Sequence, residues 1–118
     1  MTNEEKLEFY LEAQRAILNN NLFGWSVEFD GASRRLGCCR HAKKVISFSS
    51  HYLENSPLES MRDVIYHEVA HAIVGPGHGH DWIWKQKALA LQQAQQQFMP
   101  AQVALIQLMA ILQQQVLT

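Results

Sequence analysis

Hydrophobic positions at helical spacing open the chain. They are Leu7, Tyr10, Leu11, Ile17 and Leu18, with Gln14 as the one polar residue on the same stripe. This pattern predicts an amphipathic helix that packs its apolar stripe against a core. Thr2 and Glu5 have the spacing of a capping box at its start, and the run Asn19-Asn20-Asn21 favours a turn at its end.

Three short segments after this helix have the features of β-strands. Residues 25–29 alternate between apolar and polar side chains, which is typical of a strand with one buried face. Residues 34–39 and 44–49 are candidates for the second and third strands, and Asp30-Gly31 is a strong turn signal after the first. Because no helix intervenes, we expect the strands to pair in chain order as an antiparallel sheet.

A second long helix is predicted after the strands. Ser56 is a good N-cap residue, Pro57 suits the first turn, and Glu59 stands three positions after the cap. Apolar residues then recur at helical spacing as far as Gly75-Pro76, which should end the helix.

The C-terminal segment has a different composition. Residues 88–118 contain no charged side chain and are rich in glutamine. Pro100 should divide the segment into two helices. The second, of about 17 residues, is at the lower limit for a membrane span. Recurring glutamines and the lack of a basic flank favour packing instead, so membrane insertion is not expected and residues 101–117 are a candidate for self-association.

Composition sets the broad class of the protein. With 118 residues, 47% of them hydrophobic and 18% charged, the chain is predicted to form one soluble globular unit. The net charge of −1 gives no bias toward an acidic or a basic partner. The first residues carry glutamates and no apolar run, so no signal peptide is expected and the cytoplasm is the default location. Cys38 and Cys39 are adjacent, which makes a structural disulfide between them improbable.

A local cluster of basic side chains covers the second and third predicted strands. It consists of Arg34, Arg35, Arg40, Lys43 and Lys44, with His41 among them. One interpretation is contact with DNA phosphates. The other is a solvated sheet face whose lysines protect an edge strand. No aromatic residues are interleaved with these charges as in many nucleic-acid surfaces, so both interpretations stay open.

The pentapeptide His67-Glu68-Val69-Ala70-His71 is the strongest chemical signal in the sequence. Two histidines four residues apart lie one above the other on a helix, so both can bind one metal ion, usually zinc. Glu68 is displaced around the helix and can accept a proton from a zinc-bound water. A catalytic zinc needs a third protein ligand and one open position.

The third ligand must come from the loop after this helix or from upstream. No aspartate, glutamate or histidine follows Asp81, which excludes a glutamate on a later helix. Gly77 stands where the His-x-x-Gly-x-x-His extension of the motif needs a histidine. The glycine-rich loop leaves a third histidine at position 78 or 80.

Several separate stretches, taken in order, match one known family. They are Trp25 to Phe29, Arg34-Arg35-Leu36-Gly37, Ile46-Ser47-Phe48-Ser49, His67-Glu68-Val69-Ala70-His71-Ala72, and Gly77-His78-Gly79-His80 followed by Trp84-Lys85. In this order they resemble the SprT-like (Spartan-type) zinc metalloproteases. In that family the third ligand precedes an aromatic residue by four positions. The resemblance therefore implies His80, counted from Trp84, with His78, counted from Trp82, as the alternative.

The resemblance also implies a fold and a function. It implies a zincin-like minimal metalloprotease domain at residues 1–90, with Zn²⁺ bound by His67, His71 and His80 and with Glu68 as the catalytic base. The activity it implies is hydrolysis of peptide bonds in protein substrates, among them DNA-bound or DNA-crosslinked proteins, with the basic cluster as the DNA surface. Residues 91–118 depart from the family, since many relatives continue into a zinc ribbon and no cysteine follows Cys39 here.

The predicted architecture is α+β: an N-terminal helix, a three-stranded antiparallel sheet, the helix with the two histidines, and two C-terminal helices. The main alternative function is a non-catalytic, zinc-containing module that binds DNA or supports assembly. Glu68 argues against it, because a structural zinc site needs no general base and usually has four protein ligands.

Overall fold

The structure is a computed structural model that describes residues 1–94 and positions 109, 112 and 113. Its helices and strands are, in chain order, α1 (Asn3–Asn19), β1 (Ser26–Asp30), β2 (Gly37–Arg40), β3 (Val45–Ser49), α2 (Ser50–Asn55) and α3 (Leu58–Val74). A fourth helix, α4, covers residues 82–94. The predicted α+β class is confirmed. Helix α2 was not predicted, because its 6 residues are too few to show a periodic pattern.

The sheet is mixed, so the antiparallel sheet expected from the sequence was wrong. Its strand order is β1-β3-β2, with β1 parallel to β3 and β2 antiparallel to β3. The turn signal at Asp30-Gly31 does not form a hairpin, because residues 31–36 cross the end of β3. Ser49 fixes this crossing, since its hydroxyl donates to the carbonyl of Ala32 and its backbone N–H donates to that of Leu36.

The burial of β3 explains its central position. All five of its residues are buried, whereas β1 and β2 are partly exposed. A strand that is buried on both faces is expected in the middle of a sheet. Helix α1 packs against α3 and β1, and α3 packs against β2. The ring of Phe9 on α1 meets that of Phe48 on β3 edge to face, with centroids 5.0 Å apart.

Helix α1 begins at the predicted capping box but buries a different face from the one predicted. The backbone N–H of Glu5 donates to the Thr2 hydroxyl, and that of Thr2 donates to the Glu5 carboxylate. Leu7, Leu11 and Leu18 of the predicted stripe are 58%, 49% and 62% exposed. The buried residues are Phe9, Glu12, Ala13, Ala16 and Ile17, of which only Ile17 belongs to the predicted stripe.

Glu12 explains why hydrophobicity alone selected the wrong face. Its carboxylate accepts hydrogen bonds from Nε of Arg62 at 2.9 Å and from the hydroxyl of Tyr66 at 3.1 Å. Burial of a carboxylate is tolerated when its oxygens are bound in this way. The polar contacts therefore join α1 to α3 at a position that the sequence pattern assigned to solvent.

Helix α3 starts one residue later than predicted and ends at the predicted glycine. Its N-cap is Pro57, and Ser56 is the C-cap of α2 instead. At the other end the backbone N–H of Gly75 donates to the carbonyl of His71. The motif histidines thus lie in the last two turns of α3.

Helix α4 corresponds to the first of the two predicted C-terminal helices. The second lies almost entirely outside the described residues, although Met109, Leu112 and Gln113 are helical. No helix in the described part of the chain is long and apolar enough to cross a membrane. The predicted domain boundary between residues 90 and 91 falls within α4 and stays a prediction. Self-association through residues 101–117 also stays a prediction.

Candidate metal centre

Helix α3 presents two of the candidate ligands. His67 and His71 are separated by about one helical turn, so they lie on the same side of α3. Their ring centroids are 5.0 Å apart and both residues are half-buried. Because a hydrogen-bonded helix carries both side chains, their spacing is fixed before any metal binds.

The loop after α3 brings His80 to the same point. Gly75, Gly77 and Gly79 have positive φ angles of 86°, 90° and 55°. Residues with a Cβ atom rarely adopt such angles, so the glycines allow the chain to reverse within a few residues. The Nε2 atoms of His80 and His67 lie 3.1 Å apart. The structure therefore brings His80 together with the two histidines of α3.

The three histidines fit a zinc ion in number, chemistry and spacing. One ligand nitrogen of each lies within 4.8 Å of the others. The His80 ring centroid is 4.9 Å from that of His67 and 5.0 Å from that of His71. Tetrahedral zinc with Zn–N bonds of about 2.0–2.1 Å would hold its ligand nitrogens about 3.3 Å apart, which small side-chain rotations can achieve.

The surroundings of the cluster keep two of its histidines in the neutral form. Burial and the nearby His80 lower the pKa of His67. Burial, followed by the charges of His67, His80 and His41, lowers the pKa of His71 to about 4. Both rings are therefore neutral at physiological pH, which is the form that binds a metal ion.

His78, the alternative third ligand, is not part of this cluster. Its Nδ1 lies 2.9 Å from Oδ2 of Asp81. The other oxygen of Asp81 accepts a hydrogen bond from the backbone N–H of Trp84 at 3.0 Å, so Asp81 caps the start of α4. His78 and Asp81 thus stabilise the loop on both sides of His80.

Trp84 of α4 packs against all three histidine rings. Its centroid is 4.6 Å from that of His67, 5.0 Å from that of His71 and 4.5 Å from that of His80. Its Nε1 donates a hydrogen bond to the backbone carbonyl of His67 at 3.3 Å. An aromatic residue four positions after His80 therefore holds the loop histidine against the helix histidines.

Glu68 is the buried carboxylate of the same site. It is only 5% exposed, and its Oε1 lies 3.8 Å from Nε2 of His67. Burial raises the pKa of Glu68 to about 7. A carboxyl group that exchanges a proton near neutral pH is suited to general acid and base catalysis.

Strand β2 passes against Glu68 at Gly37. A Cβ atom on Gly37 would lie 3.0 Å from Cγ of Glu68 and 3.0 Å from Cγ1 of Val64. Interiors are packed too closely to absorb such contacts without a shift, so glycine is required here for space. Sequence reasoning missed this role, because residues 37 and 68 are distant in the chain and no local pattern relates them.

His41 is a second residue whose role was missed. Its Nε2 donates a hydrogen bond to the carbonyl of His71 at 2.9 Å, and its ring meets that of Trp25 edge to face. It lies in the turn after β2 and so fixes that strand to the end of α3. Its place among basic residues in the sequence concealed this contact.

Two clefts share His67 and Glu68. The first, of about 300 Å³, lies along β2 and is also lined by Gly37, Cys38, Cys39, His41, His71 and His80. The second, of about 400 Å³, follows α3 and α4 and is lined by Leu36, Ser60, Asp63, Val64, Trp84 and Ala88 among others. The metal centre is therefore open on both sides of Glu68. Cys38 and Cys39, which line the first cleft, are free thiols.

The predicted DNA-binding residues lie at the two ends of β2. Arg34 and Arg35 precede this strand, and Arg35 pairs with Asp30 at 3.3 Å. Arg40 ends it, and Lys43 and Lys44 follow in the next turn. The four-residue strand separates the two groups by about 13 Å at 3.3 Å per residue. The structure thus places two basic groups at opposite ends of β2 rather than in one cluster.

Comparison with known proteins gives a family for the chain. No curated protein matches the chain. The model of the SprT-like family matches residues 7–104, a range that contains the sheet, α3, the glycine loop and α4. With most of its length matched, the chain belongs to the SprT-like family.

Proposed function

We propose that this protein is a zinc-dependent metallopeptidase that hydrolyses peptide bonds in protein substrates. The observation that carries the proposal is a three-histidine cluster beside a buried carboxylate at an open cleft. Membership of the SprT-like family supports it, because domains of this family are metallopeptidase-like.

His67, His71 and His80 would hold the zinc ion. Bound there, zinc would supply Lewis-acid activation of water and of the substrate carbonyl. Three protein ligands leave a position for the reacting groups, which distinguishes this donor set from a closed structural site. Trp84 and Asp81 orient the loop ligand, and His41 orients the end of α3.

Glu68 performs the proton transfers in this proposal. Its carboxylate accepts a proton from the attacking water and delivers it to the nitrogen of the leaving amine. Burial favours this exchange, since it brings the pKa of Glu68 to about 7. Gly37 leaves the space in which the Glu68 side chain lies against β2.

The proposal is tested by zinc content and by cleavage of casein, for the wild type and for Glu68→Gln. We expect one zinc ion per chain in both proteins and at least about a 100-fold loss of cleavage in the variant, because the general base is removed. Glu59→Gln, which removes a charge from the exposed first turn of the same helix, is the matched control and should cleave normally. A wild type that binds no zinc after reconstitution contradicts the proposal.

DNA-associated proteins are the substrates that we infer for this activity. Among the described residues Arg34, Arg40, Lys43 and Lys44 form no ion pair, so they are available to phosphates. Cleavage should then rise when single-stranded DNA is added and lose this dependence at high salt. Zinc binding without any cleavage would instead favour the non-catalytic DNA-binding or assembly module.

A further inference from the structure

A second carboxylate faces the cleft that follows α3 and α4. The side chain of Asp63 lines this cleft, which also contains His67 and Glu68. Asp63 precedes His67 by four residues, so the Cβ atoms of the two lie about 5–6 Å apart on the same face of α3. A substrate side chain next to the reacting peptide bond is therefore within reach of Asp63.

The carboxylate of Asp63 has no bound partner in the part of the chain that the structure describes. It is exposed, and it takes part in none of the ion pairs there. By contrast, Asp30 pairs with Arg35, and Glu12 pairs with Arg62. Asp63 is thus an unpaired negative charge, among the described residues, on the wall of the cleft that contains His67 and Glu68.

The rest of the cleft wall is largely apolar. Leu36 is 42% exposed at one side, and Val64, Trp84 and Ala88 add further apolar surface between Asp63 and His67. Ser60 and Gln92 are the uncharged polar residues of the lining. Apolar surface beside an exposed carboxylate, that of Asp63, matches a lysine or arginine side chain, which combines an aliphatic stem with a charged end. A neutral polar side chain would leave the carboxylate unpaired, and an acidic one would be repelled.

We propose that this cleft binds a lysine or arginine side chain of the substrate and that Asp63 pairs with its charge. The inference rests on the proposed peptidase function and adds a substrate class to it. The preferred substrates are protein segments with a basic residue beside the cleaved bond.

The test is a peptide library in which one residue next to the cleaved bond varies, with products identified by mass spectrometry. We expect the wild type to cleave peptides with lysine or arginine about fivefold faster than those with leucine, as for an exposed ion pair. This ratio should fall to about one in Asp63→Asn, and Asp63→Lys should prefer glutamate. High salt should reduce the ratio in the wild type, since it screens exposed charges.

Glu59→Gln is the matched control, because Glu59 lies one turn before Asp63 on the exposed side of α3 and does not line the cleft. It should keep the wild-type ratio. Zinc content and melting temperature show whether each variant is folded. Cleavage without a basic preference, or a preference that survives in Asp63→Asn, overturns this inference alone. No cleavage of any peptide by the zinc-loaded wild type overturns the peptidase proposal, and this inference with it.

Discussion

The helix and the loop build the metal centre in different ways. On α3, His67 and His71 are half-buried and their spacing follows from the helix itself. In the loop, His80 is exposed and reaches the centre through three glycines with positive φ angles. The helix thus supplies a preformed pair of ligands, and the loop supplies a third whose position depends on Asp81, His78 and Trp84.

The difference shows that ligands on a helix need fewer supporting contacts than a ligand on a loop. The spacing of His67 and His71 is held by the backbone hydrogen bonds of α3, which form with or without a metal site. A loop ligand needs its own contacts, and here these are the Asp81 cap and the packing of Trp84. Substitutions in the two halves should therefore have different consequences for zinc binding and for catalysis.

The largest effect is expected from removal of a ligand in either half. His71→Ala and His80→Ala should each weaken zinc binding by more than about 100-fold, which exceeds the usual effect of losing a supporting contact. His78→Ala should bind zinc within about tenfold of the wild type, because His78 only supports the loop. Competition with a chromogenic chelator measures all three. Loss of zinc in His78→Ala but not in His80→Ala would reverse the assignment of the loop ligand.

The next largest effect is expected where β2 contacts Glu68 of α3. Gly37→Ala should reduce cleavage by about 100-fold while zinc stays bound, because a displaced Glu68 no longer meets the reacting groups. Adding Val64→Ala removes one of the three close contacts at position 37 and should restore part of the activity. Gly31→Ala is the control, since nothing lies within 4 Å of a Cβ atom there. Equal activity of the two glycine variants would show that the space at Gly37 does not position Glu68.

A smaller effect is expected where the two halves meet. Trp84→Leu should weaken zinc binding by about tenfold, because it removes the ring that packs on all three histidines and the hydrogen bond to His67. Trp82→Leu is the matched control, since Trp82 is 70% exposed on the other side of the same helix turn. Equal zinc affinity in the two variants would mean that the loop holds His80 without help from α4.

The smallest effect is expected within the loop backbone. Gly77→Ala should weaken zinc binding by about fivefold, since a φ angle of 90° costs a residue with a Cβ atom about 1 kcal/mol or more. No atom lies within 4 Å of a Cβ atom at Gly77, so a change in zinc affinity would come from the backbone conformation and not from a steric clash. Isothermal titration with zinc measures it. An unchanged affinity would indicate that the loop reaches the metal in another conformation.

The sequence predicted those features that depend on local periodicity. The end of α3 at Gly75, the capping box of α1 and the pairing of His67 with His71 on one helix all follow from short spacings. The third ligand was narrowed to two histidines by elimination, and only the resemblance favoured His80. Spacing alone does not distinguish the two, because the choice depends on the contacts that Asp81 and Trp84 make with the loop.

Features that depend on distant contacts were not predictable in this way. Strand order depends on which strand is buried on both faces, and β3 shows this only after α1 and α3 have packed on the sheet. The buried face of α1 contains Glu12, which is stable there because Arg62 and Tyr66 bind it. Gly37 and His41 act on residues about 30 positions away.

The central position of β3 also implies an order of folding. Arg40 and Val45 pair across a short turn, so β2 and β3 can form a hairpin early. Strand β1 can join β3 only when the connection that contains β2 has closed, and such non-local pairing is slow. The hairpin contains Gly37 and His41, whereas the three histidine ligands lie later in the chain, on α3 and in the loop after it. We therefore expect the sheet to assemble without metal, with zinc binding to an already folded chain.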